Sequence, residues 1–158
     1  MKPRKVVVPL DGSVESETIA PFIREIAGPL DCEVLLLRVL EPFGPPVADG
    51  PQVIVDAIDA RRNEAMEYLA PIAADLRARG VRVETGVRRG PPVEEILAAV
   101  RESGADMVAM TTHGRGGLNR LLFGSVAEGV LRRAEVPVFL MRQTAAQLEA
   151  ARTVRRPA

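Results

Sequence analysis

MVAMTTHGRGGLNRLLFGSVAEGVL, residues 107–131, joins a short apolar run to a glycine-rich loop and then to the start of a helix. Met107, Val108, Ala109 and Met110 are too few, and too soon followed by glycine, to be a helix, so the run is expected to be a buried strand. Gly114, Gly116 and Gly117 permit positive φ and close backbone approach, while Gly124-Ser125 opens a helical pattern carrying Val126, Val130 and Leu131. A strand, a glycine loop and a helix N-terminus in succession suit an anion. The first N–H groups of a helix have no intrahelical acceptor and lie at the positive end of its dipole. Arg115 and Arg120 would add charge to the loop. Glycine and serine at a helix start are equally ordinary turn and cap chemistry, so composition alone does not separate the two readings.

Working outward, KVVVPL at 5–10 is a β-branched run of the kind found in strands covered on both faces, with Pro9 placed to end its ladder. Asp11-Gly12-Ser13 forms a turn, and Ser13 caps a helix whose apolar positions are Ile19, Ile23, Ile26 and Leu30. EVLLLRVL at 33–40 is a second buried strand interrupted only by Arg38. PFGPPVADGP at 42–51 is a connector or a lid, and the connector is favoured. A long helix follows with Ile54, Ile58, Ala65, Leu69, Ile72 and Leu76 on one stripe, ending before Gly80. VRVETG at 81–86 alternates as an edge strand should, and Arg88-Arg89-Gly90-Pro91-Pro92 is expected to be a loop whose charges are solvated or reach a phosphate. Val93, Ile96, Leu97 and Val100 mark a helix ending near Gly104. VPVFLM at 136–141 is the last strand.

Strict β-α alternation implies a parallel sheet with right-handed crossovers and helices on both faces. The expected class is α/β, with five parallel strands in the order 3-2-1-4-5. In that order the chain reverses between the first and fourth strands, which brings Asp11 and the glycine loop to one crevice.

Composition narrows the partners. The chain has 158 residues, enough for one domain with a sizeable core, and 47% hydrophobic with 27% charged residues is ordinary for a globular protein. Aromatic residues are only 3%, too few to stack nucleic-acid bases, and 21 basic against 21 acidic side chains create no field toward a polyanion or a membrane surface. No apolar run reaches the length of a membrane helix, and residues 1–5 lead directly into Val6-Val7-Val8, too short a run for a secretory segment, so a cytoplasmic location is expected. Cys32 has no partner for a disulfide or a metal motif and is expected in the core.

The spacing in the key stretch resembles the universal stress protein family, whose nucleotide signature is G-x2-G-x9-G-[S/T]. Gly114, Gly124 and Ser125 match its second half, and Thr111 stands where the first glycine would be. The segment V-P-L-D-G-S is likewise similar to the family's P-x-D-G-S after the first strand. The resemblance implies a Rossmann-like fold of the adenine nucleotide alpha hydrolase type spanning residues 1–142; it does not cover the arginine-rich tail, 143–158, whose composition reads as flexible or a short partner-contacting helix. It implies ATP bound by Pro9, Leu10, Asp11, Val39, Met110, Thr111, Gly114, Arg115, Gly124, Ser125, Val126 and Ala127, with Mg2+ held mainly by the phosphates. It also implies a homodimer through the strand at 136–141.

Catalysis finds little support. His113 is the only histidine, Ser125 sits in no G-x-S-x-G elbow, the G-x4-G-K-[S/T] loop is missing, and no lysine lies beyond Lys5. Three functions remain open: an ATP-binding regulatory module, an interaction module of the same fold without nucleotide, and a slow ATP hydrolase.

Overall fold

In a computed structural model, residues 3–42, 51–112 and 124–155 are described. The elements run β1 (Lys5–Pro9), α1 (Val14–Glu17), α2 (Ile19–Ala27), β2 (Glu33–Leu40), α3 (Pro51–Ala78), β3 (Arg82–Arg89), α4 (Pro92–Ser103), β4 (Met107–Thr111), α5 (Ser125–Arg133), β5 (Val138–Met141) and α6 (Ala145–Arg155). The strands form one sheet in the order β3-β2-β1-β4-β5, every pairing parallel, as the alternation of strands and helices requires.

The pleat divides the apolar side chains between two faces. Val6, Val8, Val34, Leu36 and Ala109 face α2 and α3, where Ile19, Ile23, Leu69, Ala73 and Leu76 complete one buried cluster. Val7, Leu37, Val39, Val108 and Met110 point the other way, against Ile96, Ala99 and Val100 of α4 and Ala127 and Val130 of α5. Covering on both faces is why β1, β2 and β4 read as nearly unbroken apolar runs. Cys32, 2% exposed, belongs to the first cluster as expected. At the far edge Phe22 of α2 stacks on Phe139 of β5, ring centroids 4.5 Å apart.

Three elements depart from the expected pattern. The helix after the first turn is broken at Thr18 into α1 and α2. Pro21 explains the break: it has no N–H for the carbonyl of Glu17, and its ring crowds that carbonyl. The edge strand β3 extends to Arg89 rather than Gly86, with Val87, Arg88 and Arg89 paired to Arg38, Val39 and Leu40. Arg88 is therefore neither a solvated loop charge nor a phosphate ligand, because its guanidinium is ion-paired with Glu95 and Glu102 of α4. The strand at 136–141 begins only at Val138, although the Pro137 carbonyl already accepts from Val108 N–H at 3.0 Å. The connector within 42–51 falls mostly outside the described residues.

Beyond β5 the tail is helical over Ala145–Arg155, and it reaches back to α1: Gln143 Nε2 donates to the Glu15 carbonyl at 3.0 Å and Arg152 Nη2 lies 3.5 Å from Glu15 Oε1. No described helix is long and apolar enough to cross a membrane.

Leu69, completely buried, couples α3 to the sheet, whereas Arg152 is largely exposed. Leu69→Ala is expected to lower the unfolding free energy by about 3 kcal/mol, the cost of a core cavity. Arg152→Ala should leave it close to wild type, because exposed ion pairs contribute little. Urea denaturation of both variants checks this, and equal losses would contradict it.

Candidate functional site

Residue 9 determines where the sheet opens. Asp106 N–H donates to the Lys5 carbonyl at 3.0 Å, so odd-numbered residues of β1 direct their backbone toward β4; Leu10 N–H donates to the Leu37 carbonyl at 2.8 Å, so even ones face β2. Pairing with β2 continues through Pro9↔Leu37, but pairing with β4 ends at Val7↔Val108. The next donor toward β4 would be the N–H of residue 9, and proline has none. β1 and β4 therefore separate at the carboxyl end of the sheet, at the reversal of strand order.

The strands on either side offer backbone to the opening. Glu33 N–H donates to the Arg4 carbonyl at 2.8 Å, which fixes odd residues of β2 toward β1; Val39 shares that direction but lies beyond the end of β1. On β4, Val108 and Thr112 donate toward β5 (3.0 and 3.1 Å), so Thr111 is directed to the β1 side. Val39 and Thr111 thus flank the space that β1 vacates.

The turn after β1 supplies a carboxylate. Gly12, at φ +85°, turns the chain, and Asp11 Oδ1 accepts from Ser13 N–H at 2.8 Å and from Ser13 Oγ at 2.5 Å. Ser13 is in turn the N-cap of α1, its Oγ accepting from Ser16 N–H at 3.1 Å. The Asx-turn role is therefore real, and it engages one carboxylate oxygen. Burial opposes the charged form of Asp11, but the hydrogen bonds from Ser13, the Ser16 hydroxyl and the nearby Arg38 guanidinium outweigh it, holding the carboxyl below its ordinary pKa.

The opposite wall is the start of α5. Gly124 occupies the N-cap at φ −68°, ψ 157°, an extended conformation open to any residue, and no side chain caps the helix. Backbone conformation therefore does not account for a glycine there. The first intrahelical bond runs from Glu128 N–H to the Gly124 carbonyl at 2.9 Å, which leaves the N–H groups of Ser125, Val126 and Ala127 without helical acceptors. Gly124 N–H donates to the Thr112 carbonyl at 2.6 Å, which joins the start of α5 to the end of β4.

Between these walls lies a hollow of about 660 Å3. Ten of the residues expected at a nucleotide site line it: Pro9, Leu10, Asp11, Val39, Met110, Thr111, Gly124, Ser125, Val126 and Ala127. Gly114 and Arg115 lie outside the described residues. Ser16, Arg38, Glu41, Arg61, Pro92, Ile96 and Thr112 also line the hollow and were not anticipated. Arg38 carried a usable signal, as the one charge inside a strand otherwise apolar on both faces. Arg61, whose Nη1 donates to the Glu41 carbonyl at 3.2 Å, comes from the polar face of α3 and had none. Among the described residues there is no group of three or more His, Cys, Asp or Glu side chains placed to hold a metal ion.

Comparison with known proteins agrees with this fold. The model of the universal stress protein family matches residues 2–142. A universal stress protein of Methanocaldococcus jannaschii is 33% identical over 143 residues, which cover 89% of this chain and 82% of that protein. Among solved structures, a second Methanocaldococcus jannaschii protein superposes with a TM-score of 0.81 at 24% identity, over 91% of this chain and 99% of the other. A universal stress protein from Archaeoglobus fulgidus, solved in complex with dAMP, superposes with a TM-score of 0.61 at 24% identity, over 89% and 98% of the two chains. At such identities the two superpositions speak to fold alone.

The lowered pKa of Asp11 has a sign that can be measured. A depressed carboxyl adds stability that is present above the unfolded pKa of about 3.9 and is lost as pH falls through the folded value. Asp11→Asn removes that contribution, so the stability difference between wild type and variant is expected to be largest near neutral pH and to shrink below about pH 4. Melting curves from pH 7 to pH 3 test this, and a difference independent of pH would contradict it.

Proposed function

The chain belongs to the universal stress protein family, and on that premise we propose that it is a nucleotide-dependent regulatory module, located in the cytoplasm, that holds ATP in the hollow beyond β1. The observation that carries this is the meeting, around one hollow of about 660 Å3, of the three chemistries a nucleoside polyphosphate needs. Its size falls within the roughly 300–1,000 Å3 of small-molecule sites. Pro9, Val39, Ile96 and Met110 provide apolar walls for a base. Asp11 stays ionised and can accept from ribose hydroxyls. The Ser125, Val126 and Ala127 N–H groups, at the positive end of α5, receive phosphate, and Gly114 and Arg115 precede that helix in the sequence. Mg2+ supplies neutralising charge when bound and would be carried by the phosphates. A family member from Archaeoglobus fulgidus in complex with dAMP supports this assignment.

One observation favours a second function, an interaction module without nucleotide. Thr111 replaces the glycine of the family signature, and its side chain is 7% exposed beside the opening. Hydrolysis draws less support: Lys5 is ion-paired to Glu33 and Glu84 at the opposite end of β1 and cannot reach the phosphates. The edge strand β5, with four half-buried apolar side chains, supports assembly into a homodimer.

Purified protein is expected to melt at higher temperature with millimolar MgATP, and Gly124→Val should weaken ATP binding at least tenfold while preserving the ligand-free melting temperature, since the backbone at 124 accepts any residue. No thermal shift in wild type would favour the interaction module, and unchanged affinity in the variant would move the phosphates elsewhere. Light scattering after size exclusion should give twice the 17.0 kDa chain mass at micromolar concentration, and a monomer mass would count against the dimer.

A further inference from the structure

The carboxylate of the hollow is held by a helix that has little hold of its own. Asp11 Oδ1 accepts from the Ser13 hydroxyl and Asp11 N–H donates to Ser16 Oγ at 3.3 Å, so the N-cap and the third residue of α1 fix the turn. α1 has four residues, too few to stand alone, and is severed from α2 at Thr18. Its one buried side chain is Ser16, so no fully buried apolar group ties it to the core. Its position depends on what packs outside it.

The tail packs there. Thr112 N–H donates to the Met141 carbonyl at 3.1 Å and the Thr112 carbonyl accepts from Gly124 N–H, which roots the tail beside the start of α5. Two residues on, Gln143 Nε2 donates to the Glu15 carbonyl at 3.0 Å, and from within α6 Arg152 Nη2 lies 3.5 Å from Glu15 Oε1. Glu15 stands between Ser13 and Ser16 in the chain. Residues 141–152 therefore join, from outside, the phosphate-receiving rim of the hollow to its carboxylate rim. α6 starts on its own signal, with Thr144 Oγ1 accepting from Gln147 N–H at 3.2 Å and Gln147 Oε1 accepting from Thr144 N–H at 2.8 Å. Its docking is weaker: Leu148 and Ala151 are half-buried, and the other described side chains of the helix are exposed. Contacts of that kind open and close while the core stays folded.

We propose that α6 is a strap across the two rims, which positions the Asp11 turn against the start of α5, so that docking of α6 and binding of nucleotide strengthen one another. This rests on the nucleotide role assigned above and concerns how that site is regulated. The coupling is reciprocal: nucleotide tightens the strap, and whatever draws α6 away weakens the nucleotide.

Amide hydrogen exchange and calorimetric titration with MgATP, on the full chain, test it. In wild type MgATP should slow exchange across α6. Gln143→Ala combined with Arg152→Glu removes the hydrogen bond and sets like charges together; α6 should then exchange faster, and MgATP affinity should fall about fivefold, the low end of couplings between sites. Arg152→Glu combined with Glu15→Arg restores the ion pair with its signs exchanged and should bind as wild type does. Urea denaturation establishes that the domain of each variant is folded. Wild-type exchange of α6 in the first variant, unchanged affinity where α6 exchanges freely, α6 exchange indifferent to MgATP in wild type, or failure of the exchanged pair to recover affinity each overturns the strap while leaving the nucleotide role intact. Absence of MgATP binding in wild type overturns both.

Discussion

A parallel ladder needs an N–H from every second residue, and at position 9 there is none. The β1–β2 side of the sheet is indifferent to this, because Pro9 directs its backbone the other way, and pairing there continues to Leu10 N–H on the Leu37 carbonyl. On the β4 side the ladder ends at Val7↔Val108. That asymmetry parts two strands at the point where strand order reverses, and the candidate site gathers around the gap: Val39 and Thr111 with backbone turned inward, the Asp11 turn at the top of β1, and α5 starting against Thr112.

The hollow inherits the two-faced character of the sheet. From the α4 and α5 face come Val39, Ile96, Met110 and Ala127, members of one apolar cluster. From the α2 and α3 face come Arg38 and Arg61, with Asp11, Ser16 and Glu41 near them. An apolar half beside a polar half suits an amphipathic ligand, and a helix start without a side-chain cap adds affinity for negative charge at one end. The tail contacts the same region from outside, since α6 is tied to Glu15, two residues past the N-cap Ser13.

Much of this was legible because burial writes itself into periodicity. EVLLLRVL reads as a strand with the bounds that the structure gives it, and the alternation of strands and helices requires the parallel pairing, while the order β3-β2-β1-β4-β5 agrees with the expected one. The misread segments share a cause, which is a long-range partner invisible to local pattern. Arg88 and Arg89, followed by Gly90 and two prolines, look like a loop, yet Val39 and Leu40 extend the ladder and Glu102, fourteen residues on, neutralises Arg88. Ile19, Ile23 and Ile26 keep one helical spacing across Pro21, although its ring cannot follow Glu17 in one helix. Arg61 shows nothing locally, since its place at the hollow depends on how α3 crosses the end of β2. Asp11 was legible as both a turn residue and a ligand candidate, and the geometry gives it the first role without removing it from the second.

The central claim is that the space opened by Pro9 is the nucleotide site, and amide chemical-shift mapping during titration with MgATP tests it most directly. Saturable shifts concentrated at Asp11, Val39, Thr111 and the Ser125, Val126 and Ala127 amides are the predicted result. Shifts clustered on the outer side of β3 and α4, or no saturable shift at any amide, would contradict it.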